Sequence, residues 1–126
     1  MKILLSSLAA AVVLTACTVN PQKAEVRRNA FIQKAFPNPA DQRGLDLFIP
    51  LESAGIYPTL QISYFTQEVS EPEVRRRAAS FCARQNSPRL TGQAVIERDI
   101  GYGTRTIPGR PARQIRTIFY SCVKSA

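Results

Sequence analysis

The chain has 126 residues, with 17 Lys and Arg against 9 Asp and Glu, no His and no Trp, and a formal charge of +8. That length suits one compact domain, and the lack of His excludes Ser–His and Cys–His nucleophile pairs of the usual kind. The positive balance favours anionic partners, but the basic residues are scattered in small groups, as at Arg27-Arg28, Arg75-Arg76-Arg77, Arg84 and Arg89, so nucleic acid is not expected; a base composition that raises Arg and Ala together explains the excess as well.

The first element is a leader. Lys2 precedes an apolar run from Ile3 to Leu14, broken only by Ser6 and Ser7, that closes on Leu14-Thr15-Ala16-Cys17. A basic start, a short apolar core and small residues at the end form the layout of a secretory signal peptide. A membrane-spanning anchor is the competing reading, but it takes roughly 20 apolar residues, and Thr18, Asn20, Gln22 and Lys23 turn polar at once. The closing four residues resemble the lipobox of bacterial lipoproteins, in which a branched aliphatic, a small residue and Ala or Gly precede a lipidated Cys. The resemblance implies a diacylglycerol on the Cys17 thiol, cleavage after Ala16 and acylation of the new amino terminus. Two or three acyl chains anchor a protein stably where one does so only marginally. In enteric bacteria an Asp after the lipidated Cys retains a lipoprotein in the inner membrane; Thr18 here implies the outer membrane, periplasm-facing, with the inner membrane as the alternative. The expected division is a signal peptide over 1–16, a lipidated tether over 17–44 and one small domain over 45–126.

Within the tether, Gln22 to Ala35 allows a short helix with Val26, Ala30 and Phe31 on one side, ended by Phe36-Pro37-Asn38-Pro39. It either packs on the domain, lies on a membrane surface or is a flexible segment. A strand is expected from Leu45 to Ile49, stopped by Pro50, followed by a loop from Leu51 to Pro58. Thr59 to Thr66 alternates, with Leu60, Ile62 and Tyr64 on one face and Gln61 and Ser63 on the other, the pattern of a half-buried strand. Ser70-Glu71-Pro72-Glu73 fits a capping box with Ser70 as N-cap and Glu73 reaching back. It opens a helix whose buried stripe is Val74, Ala78, Phe81 and Cys82 and which Asn86-Ser87-Pro88 ends. Gln93 to Ile100 and Gln114 to Val123 read as a hairpin of two strands with a long basic tip over 101–111; inward placement of Cys122 puts Ile118 and Tyr120 in the core with it. The fold class is therefore α+β: a small antiparallel sheet in β-β-α-β-β order packed by one main helix.

With Cys17 lipidated, Cys82 and Cys122 remain, and two thiols in an oxidising compartment on elements able to touch read as one disulfide. Without His they do not complete a tetrahedral zinc site, and they are not spaced as a C-x-x-C redox pair. No cofactor or metal is expected, and no catalytic residue. Glu97 and Asp99, two apart on a strand, share a face, but a solvated edge explains them; Gly101-Tyr102-Gly103 lacks the full glycine fingerprint of a nucleotide loop. The one candidate site is the 101–111 tip, where Arg105 and Arg110 suit phosphate or carboxylate and Tyr102 offers stacking; a plain hairpin tip is the competing explanation. The expectation is a non-enzymatic, membrane-anchored envelope lipoprotein with a structural or accessory role and an envelope protein as partner. The alternative is a module that binds an anionic polysaccharide or lipid through the tip.

Overall fold

The computed structural model describes residues 21–126; the leader and Cys17 lie outside the described residues. Helix α1 (Pro21–Ala35) and the single turn α2 (Pro39–Gln42) lead into β1 (Leu45–Ser53), β2 (Ile56–Phe65), α3 (Glu71–Arg84), β3 (Leu90–Arg105) and β4 (Arg113–Lys124). The strands form one antiparallel sheet in the spatial order β1-β2-β4-β3. The small antiparallel α+β domain is as expected, but the plain β-β-α-β-β description is not sufficient. Two helices stand ahead of it, and the last strand inserts between β2 and β3.

Alternation builds the core. Leu60, Ile62 and Tyr64 of β2 and Ile118, Tyr120 and Cys122 of β4 lie on one face, fully or nearly buried beneath Val74, Ala78 and Cys82 of α3. Cys82 and Cys122 form the expected helix-to-strand disulfide, with Cα atoms 5.6 Å apart across a sequence separation of 40. On the opposite face Ser63 is also buried, its hydroxyl hydrogen-bonded to that of Thr117 at 2.6 Å. Burial there is tolerated because the hydroxyl has a partner.

Three expectations about the strands need correction. Pro50 does not stop β1: the strand continues to Ser53 and pairs Pro50 with Leu60. A residue without an N–H is admitted because β1 is an edge strand. The supposed loop 51–58 is a hairpin, turning on Ala54 (φ 52°) and Gly55 (φ 83°). Positive φ at both central positions is the geometry that matches strand twist in two-residue hairpins. The third is the tip: β3 runs on through Tyr102, Gly103 and Thr104, paired with Arg116, Ile115 and Gln114. Gly101, at φ 105°, sits at a bulge inside the strand rather than in a loop, so the connection shrinks to residues 106–112.

Residues 21–44, expected as a tether with a short helix, carry that helix and build it into the domain. The side that packs is not Val26, Ala30 and Phe31. It is Ile32 and, just past the helix end, Phe36, one turn apart and both in the core. The Phe36 ring meets Phe48 edge-on at 4.9 Å between centroids, leaving Val26 68 % and Phe31 57 % exposed. Asn38 caps α2, its side-chain oxygen accepting from the Ala40 N–H at 3.1 Å. Ser70 opens α3 with extended backbone but makes no side-chain cap. The capping box does not form: the Glu73 carboxylate, which would reach back to the Ser70 N–H, is bound by Arg76 and Arg77 instead.

Candidate functional site

The three residues expected to bind an anion are separated. Arg105, at the end of β3, donates to Asp46 of β1 at 2.8 Å and to Glu25 of α1. Asp46 is buried and also accepts from Arg28 at 3.4 Å. The guanidinium therefore ties the β3 end to α1 and β1, and its charge is spent inside the molecule. Tyr102 is exposed on β3 with the Arg116 guanidinium 5.4 Å from its ring centroid. Only Arg110 sits in the connection proper, exposed, with its N–H closing a turn onto the Ile107 carbonyl at 3.0 Å. Arg105→Ala is expected to cost about 2 kcal/mol, because it strips a buried carboxylate of its better partner while Arg28 remains. Arg110→Ala is expected to stay within about 0.5 kcal/mol; urea unfolding of both variants checks the contrast.

Glu97 and Asp99 do not share a face. One extra residue bulges β3 between Ile96 and Arg98. Glu97 approaches Thr59 on the face away from α3, at 3.5 Å, while Asp99 pairs with Arg116 on the α3 side, at 2.5 Å. Arg116 holds the Asp99 carboxyl below the usual carboxylate range, and its other nitrogen donates to the Tyr64 hydroxyl at 3.3 Å. Nearby the buried Tyr120 hydroxyl donates to Glu71 at the start of α3, at 2.9 Å. Burial, then the Glu71 carboxylate, pushes the Tyr120 pKa up. Burial also raises that of Tyr64, against the pull of Arg116. Both phenols are thus fixed as hydrogen-bonding groups rather than proton acceptors near neutrality.

A second network joins α2 to α3. Arg77 is buried and donates to the carbonyls of Asp41 at 3.1 Å and Arg43 at 2.6 Å, and to Glu73 at 2.8 Å. Arg76 bridges Glu73 and Asp41. Hydrogen bonds from Arg76 and Arg77 hold Glu73 at about 2, against an ordinary value of 4.5. A depressed carboxylate adds stability that is fully present above the unfolded-state value and is lost as pH falls through the folded one. Glu73→Gln is accordingly expected to cost about 1 kcal/mol at neutral pH, screened because the side chain is a third exposed. That difference from the parent closes between pH 4.5 and 2; thermal melts across that range check it.

The apolar surface is the part that sequence reasoning missed. Beside Phe31 and Lys34 of α1 opens a cleft of about 360 Å³ floored by Phe48, Pro50, Tyr57 and Phe81, whose rings stack edge to face, Phe48 on Phe81 at 5.0 Å. Val95, Ile96 and Ile100 stand 40–50 % exposed on the edge strand β3. The available signal was the i, i+4 pair Ile32–Phe36, which already accounts for the packed side of α1 and leaves Phe31 to the outside. Among the described residues no three His, Cys, Asp or Glu side chains gather as metal ligands, and no helix is long and apolar enough to cross a membrane. No family model matches the chain, and comparison with curated proteins and with solved structures also gives no match.

Proposed function

We propose that this chain is a lipid-anchored protein of the bacterial cell envelope with a structural or accessory, non-catalytic role, held to a leaflet through Cys17 and bound to an envelope protein. The outer membrane, with the domain facing the periplasm, is the favoured site because Thr18 follows Cys17. The lipobox-like leader supports the anchor, and the buried Cys82–Cys122 disulfide fits an oxidising compartment. The observation that favours a protein partner over an anionic polymer is the fate of Arg105. Its charge is committed to Asp46 and Glu25, so the tip offers Arg110 without its expected companion, whereas exposed apolar side chains line the edge strand β3.

The test is crosslinking in the native envelope followed by affinity capture of the full-length protein beside a Cys17→Ala control. A single protein recovered in fixed ratio, and lost with Cys17→Ala, supports the reading. Recovery of cell-wall polymer or lipopolysaccharide alone, released by salt and reduced in Arg110→Ala, replaces it with the polymer-binding reading.

A further inference from the structure

The exposed arc of α1 has a composition that its packed arc does not. At 100° per residue, Val26, Ala30, Lys23, Lys34, Arg27 and Phe31 fall in one continuous stripe, all exposed. The stripe holds three cations, two large apolar side chains and no acid. The one acidic residue of the helix, Glu25, lies on the opposite arc, bound to Arg105. Cations are drawn to an anionic leaflet, and apolar side chains beside them gain by leaving water at its headgroup boundary.

Position along the chain supplies the second argument. Only Thr18, Val19 and Asn20 separate Cys17 from the start of α1. Even fully extended, that link spans at most about 14 Å. If Cys17 carries acyl chains, the first turn of α1 is confined to the neighbourhood of the headgroups whatever the rest of the domain does. The helix then either stands off the surface or lies along it. Standing, Lys34 is about 16 Å farther from the leaflet than Lys23, twice the distance over which charge is felt at physiological salt, about 8 Å. Lying with the stripe down, Lys23, Arg27 and Lys34 all reach lipid phosphates, and Val26 and Phe31 leave water.

We infer that α1 lies flat on the anionic leaflet through the Lys23–Val26–Arg27–Ala30–Phe31–Lys34 stripe, and that the domain is thereby held in one orientation instead of swinging on its anchor. The inference rests on the lipid-anchor reading. Because Ile32 and Phe36 fix α1 to the sheet, orienting the helix orients the whole domain, with β1 on the side of the helix and β3 at the far edge of the sheet.

The test uses the full lipoprotein reconstituted in vesicles of phosphatidylcholine and phosphatidylglycerol in equal parts, carrying a nitroxide at Ala30→Cys or, as control, at Arg98→Cys on β3. Accessibility to a water-soluble nickel chelate reads contact with the surface, and the mass of the N-terminal peptide reads the lipid. The expected result is a lipidated peptide, a shielded label at 30 and an open one at 98. Shielding should be lost in phosphatidylcholine alone and weakened in Arg27→Gln/Lys34→Gln. At about fivefold per cation near an anionic surface, that double variant shifts the docked-to-free ratio by about 25-fold. A lipidated peptide with a label at 30 as open as that at 98 overturns the inference and leaves the anchor standing, as does shielding indifferent to lipid charge and to the double variant. A peptide without lipid overturns the anchor reading and the inference with it.

Discussion

Cys82→Ala/Cys122→Ala is expected to lower the unfolding free energy by about 4 kcal/mol. That is the chain-entropy value for opening a loop of this length, and in a domain of about 100 residues it corresponds to a fall in melting temperature of roughly 20 °C. The crosslink joins the inward face of α3 to the strand that lies between β2 and β3, so it spans the helix and sheet layers. Both cysteines are 1 % exposed. A reductant therefore reaches the sulfurs only when the domain opens, and reduction in buffer should be slow and become fast in denaturant. Calorimetry of the double variant gives the first quantity, and thiol titration with and without urea gives the second. Fast reduction of the folded protein would show that α3 separates from β4 without global unfolding.

Phe36→Ala is expected to cost about 4 kcal/mol, the range for removing a fully buried phenyl ring. Phe36 is wholly buried among Phe48, Phe81 and Arg84, whose guanidinium lies 5.6 Å from its ring centroid while donating to the Ala35 carbonyl at 2.6 Å. The ring is the joint between the N-terminal helix and the sheet, so its loss should both destabilise the domain and free α1. Phe31→Ala, five residues away and more than half exposed, is expected to change stability by less than about 0.5 kcal/mol. Denaturant melts of the pair, with limited proteolysis around residue 36, separate the packed ring from the exposed one. Equal effects would mean that α1 packs by its other side.

The contrast between these two phenylalanines also shows what the sequence carried and what it did not. Strands β2 and β4 were legible because each has one buried face, so a period of two survives in Leu60, Ile62 and Tyr64 and in Ile118, Tyr120 and Cys122. Helix α3 was legible through its i, i+4, i+7, i+8 stripe, which also placed Cys82 opposite Cys122. Pro50 misled because its exclusion from strands applies to central ones, and nothing local says that β1 is an edge. Gly101 and Gly103 misled because a glycine suits a bulge as well as a loop, and only pairing with β4 distinguishes them. The pairing of Arg105 was the least legible feature of the candidate site. Its partners Glu25 and Asp46 lie 80 and 59 positions away, and no local pattern connects them. Charge in the sequence counts guanidinium groups, whereas binding depends on those that the fold has left without a carboxylate.

The place of β4 has a consequence for how the molecule comes into being. The chain emerges from the ribosome amino end first. By the time β3 is out, four fifths of the residues are available, yet β2 and β3 are not neighbours, and their shared neighbour is the last strand to appear. The partner of Cys82, Cys122, arrives with it. The β1–β2 hairpin can pair on its own, but β3 has no strand to join until β4 has emerged, so the sheet and the crosslink that ties α3 to it are completed together by one late element.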